Sequence, residues 1–361
     1  MHLPRLLLAL AVTAPVSLAL GQSAAAPYKI VQTASLMGTG RIDYVYADSA
    51  NRHLYVPRGN QVLTFNLDTL QPESPIAGLN SGHGVAVDPV AGHAFSSSAP
   101  ILMWDAKTLQ PIKTINVQGR PDGILFEPLT ERVYVFSHVA PNVTVLDGSD
   151  GSIAGTIDLG GAPEQAQSDG KGHLYVDLED KDSIAVVDVK TLKVTGTYSL
   201  GGKGGGPGGL GLDAANGVLF AFCHQPATAV ILSATDGTIL ATLPIGNGTD
   251  GGGFNPATME AFSSQGDGTL TIIKENSPTS FAVEQTVKTL PHAKTCTLDT
   301  RANHIIVVAT DRPAPSPGTP SPSPAVSAAP LPAGSGQAMP PGRHGFGYSG
   351  PGLLHILVIG Q

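Results

Sequence analysis

Seven residues recur at one spacing in this sequence, and six of them can carry charge. Asp43, His83, Asp122, Glu164, Gly208, Asp250 and Lys294 each stand five positions before an acid or an Asn: Asp48, Asp88, Glu127, Asp169, Asp213, Asn255 and Asp299. If the units that carry them close on themselves, four carboxylates, an imidazole and an ammonium meet around one opening. Clustered carboxylates repel one another unless a cation, a proton or Lys294 compensates them. Their oxygens suit a hard ion such as calcium, and His83 widens the choice toward zinc or copper. The expected metal-ligand set is therefore Asp43, His83, Asp122, Glu164 and Asp250. The plain alternative is that these groups are merely solvated in a wet channel, as charged groups of structural networks often are.

What would bring them together is a repeat. His53-Leu54-Tyr55-Val56, His93-Ala94-Phe95-Ser96, Arg132-Val133-Tyr134-Val135 and His173-Leu174-Tyr175-Val176 are followed by Val218-Leu219-Phe220-Ala221, Glu260-Ala261-Phe262-Ser263 and His304-Ile305-Ile306-Val307, at intervals of 39 to 45 residues. Asx and Gly turn signals precede these runs, as at Asp88-Pro89 to Gly92 and Asp213 to Gly217. Each unit adds a run before the turn, a third ending near an acid (Val143 to Asp147, Ile184 to Asp188) and a fourth directly after it (Ile153 to Leu159, Val194 to Leu200). Short β-branched and aromatic runs between turn clusters are strands, and no window carries a capped helical period. Four strands per unit at about forty residues predict an all-β, seven-bladed propeller of four-stranded antiparallel blades.

The ends of the chain predict how the ring closes. Residues 28–36 read as a fourth strand standing alone, and the last unit has its first two strands and then a third at 354–359. Pairing the two in one blade removes the exposed edges of an open array. In such a ring the first strand of each blade leads away from the charged mouth and the second returns to it. Loops between second and third strands then flank that mouth, carrying Arg58, His138, Glu179 and His224.

Leu54-Tyr55-Val56, Val133-Tyr134-Val135 and Leu174-Tyr175-Val176, with the downstream Ile184-Ala185-Val186-Val187-Asp188, resemble the YVTN-repeat β-propellers, among which are the periplasmic YncE-like proteins. The resemblance covers residues 28–311 and 353–360 and is weakest in the last three blades. It implies the propeller fold but little about function, because such propellers serve as binding modules, enzyme subunits and scaffolds. The function expected is that of a non-enzymatic, exported protein binding a small polar ligand or a protein partner at the channel mouth. The alternative is a metal-dependent enzyme at the same mouth, either a lactonase-type hydrolase or an oxidoreductase component. A third possibility is a scaffold that uses blade edges or a Pro-rich loop.

Composition narrows the classes further. A net charge of −8 and the absence of a basic stripe argue against a nucleic-acid partner. Arg5 followed by an uncharged apolar run to Leu20 reads as a signal peptide over 1–21, too short for a membrane span, so a periplasmic or secreted monomer is expected. Cys223 and Cys296 fall on non-adjacent blades, which favours two buried thiols over a disulfide. Residues 312–352, dense in Pro, Ser, Ala and Gly, read as a disordered insert in the last blade. Gly201 to Gly209 lacks the spacing of a phosphate loop and reads as a flexible inter-blade connection. Neither G-x-S-x-G, H-E-x-x-H nor C-x-x-C-H occurs. Asn142 and Asn247 head short glycosylation sequons, and His53, His93, His173 and His304 share one position beside a turn, which suits packing.

Overall fold

The structure, a computed structural model, describes residues 26–311 and 351–361. The expected signal peptide and almost all of the Pro-rich stretch lie outside the described residues. Gly352, placed in that stretch by composition, already begins a strand, Gly352–Gly360.

The described residues form seven four-stranded antiparallel sheets. Blade 1 is Tyr46–Asp48, His53–Arg58, Gln61–Asn66 and Ile76–Ala77. Blade 2 is Val85–Asp88, His93–Ser96, Ile101–Asp105 and Pro111–Ile115. Blade 3 is Pro121–Glu127, Arg132–Ser137, Val143–Asp147 and Ile153–Ile157. Blade 4 is Pro163–Ser168, His173–Leu178, Ser183–Asp188 and Lys193–Ser199. Blade 5 is Pro207–Asp213, Val218–Cys223, Thr228–Ser233 and Ile239–Pro244. Blade 6 is Thr249–Asn255, Glu260–Gln265, Thr269–Ser277 and Ser280–Lys288. Blade 7 closes the ring as expected, with Thr295–Asp299, His304–Asp311 and Gly352–Gly360 joined by Lys29–Gly38 as the outermost strand.

Burial explains the pattern. Second and third strands are apolar on both faces because each lies between two neighbouring blades, whereas outer strands such as Lys193–Ser199 show one face to solvent. The core is accordingly a set of clusters between blades; one joins Tyr134, Val145 and Leu174 of blades 3 and 4. Tyrosines of the second strands also fasten neighbouring blades. Tyr55 donates to the Ala106 carbonyl at 3.2 Å, Tyr134 to Val189 at 3.3 Å and Tyr175 to Ala234 at 3.0 Å. The seam between blades 7 and 1 carries a stronger link, Arg52 bidentate on Asp299 with both contacts at 2.7 Å.

The acids that close the first strands face one rim and act as turn caps. Asp48 Oδ1 accepts from the backbone N–H of Ala50 and Asn51, Asp88 Oδ1 from Val90 and Ala91, and Asp213 Oδ1 from Ala215 and Asn216.

Candidate functional site

The seven residues that precede these acids gather at the opposite mouth of the channel. In blades 3 to 6 they stand where the pairing register of the innermost strand shifts: between Pro121 and Ile124, Pro163 and Ala166, Pro207 and Gly209, and Thr249 and Gly252. Such irregularities turn a side chain out of the regular alternation of a strand. Asp43, His83 and Lys294 lie just before the first strands of blades 1, 2 and 7.

The resulting contacts run around the opening. His83 Nδ1 lies 2.8 Å from Asp43 Oδ2 and 3.3 Å from Asp122 Oδ1. His138, from the loop after the second strand of blade 3, lies 3.4 Å from Asp122 Oδ2 and 3.2 Å from Glu164 Oε1 through Nε2. Lys294 is paired with Asp250. The ligating atoms of Asp43, His83 and Asp122 lie within 4.8 Å of one another, as do those of Asp122, His138 and Glu164.

Crowding shifts the protons. Burial, then the charges of Asp43 and Glu164, push Asp122 up to about 6. Burial and the neighbouring Glu164 push Glu179 up to about 8. Burial also pushes Asp250 up to about 7, with Lys294 offsetting part of the effect. His138 moves up to about 9, chiefly through its contact with Glu164. Burial works against a charged His83, but Asp43 and Asp122 outweigh it and raise that group too. The mouth therefore holds carboxylates that keep protons and imidazoles that gain them, as an unsatisfied negative field requires.

Two expected flanking groups behave differently. Arg58 is buried and turned away, with its guanidinium donating to the carbonyls of Gly38 and Gly352 at 2.9 Å each. It ties the closing strands of blade 7 to blade 1 and does not present its charge to a ligand, because backbone carbonyls already occupy its donors. His224 leans over Gly208, the one ring position without a side chain; a Cβ there would lie 2.7 Å from His224 Nε2. Gly201 to Gly209 also divides. Residues 201–206 form the turn, but Pro207–Asp213 is the innermost strand of blade 5. Its glycines permit contact with blade 6, since a Cβ on Gly209 would stand 2.9 Å from the carbonyl carbon of Gly251.

Two residues of the site were not anticipated. Tyr44 reaches across the channel from blade 1 and donates to Glu164 Oε2 at 2.6 Å. Gln165 accepts from Leu210 N at 2.8 Å and Gly252 N at 3.0 Å and donates to the Gly252 carbonyl at 2.9 Å, so it bridges blades 4, 5 and 6. Both directly follow a ring residue. The column one position on reads Tyr44, Gly84, Gly123, Gln165, Gly209, Gly251 and Thr295, and two large polar residues among small ones were the available signal. Beneath them lies a channel cavity of about 530 Å³ whose lining runs from Tyr44 and Glu164 to Ser49, Pro89 and Thr300 at the turn rim.

The remaining motifs fit their structural readings. Cys223 and Cys296 are buried free thiols. His53 contacts Glu73 at 2.6 Å, His93 the Gly148 carbonyl at 3.1 Å and His173 Asp169 at 2.8 Å. Among the described residues, no helix is long and apolar enough to cross a membrane.

No protein-family model matches the chain, and no curated protein matches it. Solved structures do. The RRP9 WD40 repeats superpose with a TM-score of 0.68 at 11% identity, covering 92% of this chain and all of that one. A chain of the mitotic checkpoint complex gives 0.67 at 12% identity over 85% of this chain and 96% of its own. U3-55K gives 0.64 at 10% identity over 90% and 98%. At such identities the likeness is one of fold: a WD40-like seven-bladed propeller.

Proposed function

We propose that this chain is an exported propeller of the YVTN-repeat kind whose channel mouth binds a divalent cation and, through it, a small polar ligand. One observation carries the reading: Asp43, His83, Asp122, His138 and Glu164, drawn from four blades, bring imidazole nitrogens and carboxylate oxygens within coordination reach of one another. A cation relieves the mutual repulsion of Asp43, Asp122 and Glu164, which adds to burial in raising the Asp122 carboxyl to about 6. The position favours the same use, since a channel mouth collects loops from every blade and leaves open coordination sites facing solvent.

The test is metal analysis of tag-free protein purified from its native compartment, followed by calorimetric titration of the metal-stripped protein with zinc and with calcium. Saturable uptake with a rise in melting temperature supports the reading. A mouth indifferent to both ions overturns it. Export is tested separately, by the N-terminal sequence of the mature chain.

Glu179 favours a second reading, that of a metal-dependent enzyme. A carboxyl hydrogen-bonded to Glu164, a proposed cation ligand, is placed to exchange a proton with a substrate bound there. Hydrolytic activity on a lactone panel that Glu179→Gln abolishes, with cation binding intact, supports that reading.

A further inference from the structure

We infer that the mouth takes two divalent cations, with the Asp122 carboxylate as the bridge between them; this rests on the cation reading above. The two oxygens of Asp122 serve different histidines. Oδ1 faces His83 at 3.3 Å and Oδ2 faces His138 at 3.4 Å. Asp43 joins the first group and Glu164 the second, so one carboxylate belongs to two separate sets of donors.

The contacts that Asp122 and Glu164 make with the two imidazoles match coordination better than direct hydrogen bonding, whereas His83 and Asp43, 2.8 Å apart, are hydrogen-bonded directly and must part slightly to share an ion. Donors bound at about 2.0–2.1 Å to a tetrahedral ion stand roughly 3.3 Å apart. The contacts of 3.3, 3.4 and 3.2 Å between the imidazoles, Asp122 and Glu164 have that separation. They lie at or beyond the long end of N–H···O distances, about 2.7–3.2 Å. His83 is also oriented as a ligating imidazole usually is: its far nitrogen, Nε2, lies 3.2 Å from Ser81 Oγ, which leaves Nδ1 to face the carboxylates.

The donor set selects the class of ion. Each site offers one imidazole and two carboxylates, fewer oxygens than the 6–8 that calcium takes, and suits zinc or manganese. Three carboxylates do not neutralise two divalent ions, so the loaded centre is net positive and its open positions favour an anionic oxygen ligand, a carboxylate or a phosphate. An ion pair bridged in this way lies about 3.5–4 Å apart, close enough for one ligand to span both.

Zinc titration of the metal-stripped full chain, read by calorimetry and by metal content after dialysis, is expected to give two equivalents. His83→Ala and His138→Ala should each retain one, and the double variant none. A single equivalent that either substitution abolishes overturns the two-ion inference and leaves the cation reading standing. No uptake at all overturns both. The unaltered protein provides a check independent of variant folding. Loaded with manganese, it should show a magnetically coupled pair by electron paramagnetic resonance, and an isolated-ion spectrum at saturation overturns the inference. Phosphate added to the zinc-loaded protein should bind, and phosphate without zinc should not.

Discussion

The two rims of this propeller use the same residue types for opposite ends. At the turn rim, carboxylates such as Asp48, Asp88 and Asp213 each find backbone N–H donors within their own turn. Five residues earlier on the chain, Asp43, Asp122, Glu164 and Asp250 meet one another, two histidines and a lysine. One set is satisfied locally and holds the fold; the other is left in mutual conflict and is relieved only by protons or cations. The chemistry of a carboxylate is thus set by the donors that its backbone geometry supplies. A tight turn supplies N–H groups, and an irregular strand entry around a shared axis supplies other side chains.

The contrast is sharpest in substitution. Asp299→Ala should destabilise the protein by about 2–3 kcal/mol, measured by denaturant unfolding, because it removes the bidentate partner of Arg52 and leaves the guanidinium only the exposed Asp68. Asp122→Asn should do the reverse to the metal-free protein, raising its stability at pH 8 by about 1–2 kcal/mol while abolishing cation uptake. A loss of stability at both positions would dissolve the distinction between the rims.

Titration separates them next. Asp122 at about 6, Asp250 at about 7, Glu179 at about 8 and His138 at about 9 all hold protons more tightly folded than unfolded. The folded state therefore binds more protons than the unfolded state from about pH 4 to 9, and stability falls as pH rises through that window. Asp299 is held below its ordinary value despite burial, mainly by Arg52, so its contribution is lost as pH falls through that lowered value. Calorimetric melting of the metal-stripped protein should show an alkaline limb that zinc suppresses and an acid limb that zinc leaves alone. A flat profile between pH 5 and 9 would contradict the crowding at the mouth. The smallest effect belongs to the fastenings between blades. Tyr134→Phe should cost about 0.5–1.5 kcal/mol in denaturant unfolding, the worth of one buried hydrogen bond. Phe95, Phe220 and Phe262 already occupy the equivalent place.

These differences also explain what could be read from the sequence and what could not. The blades were readable because repetition exposes period and register together, and the Asx turns mark each unit. The ring residues were readable for the same reason, since an aligned column becomes a circle once the repeat closes. The capture of Arg58, the last residue of its strand, by backbone carbonyls was not readable, because position in a repeat reports the face but not what the guanidinium meets there. Tyr44 and Gln165 escaped because their partners lie on other blades, where no local spacing records them. His138 was placed among the flanking loops, yet it stands between Asp122 and Glu164 as a full member of the ring.

The shared last blade carries a consequence for how the molecule is made. Ser35 and His355 touch at 2.9 Å across 320 residues of chain, so Lys29–Gly38 waits for Gly352–Gly360. Contacts of such separation slow folding, because a long loop must close before they form. Every proposed ligand for the cations lies between Asp43 and Glu164, well before the closing strand. A nascent chain thus holds these ligands long before the ring exists, and the ring closes only once Gly352–Gly360 is available to pair with Lys29–Gly38. The chemistry of the mouth and the closure of the circle are thus written in separate stretches of the chain, one between Asp43 and Glu164 and the other in its two outlying strands.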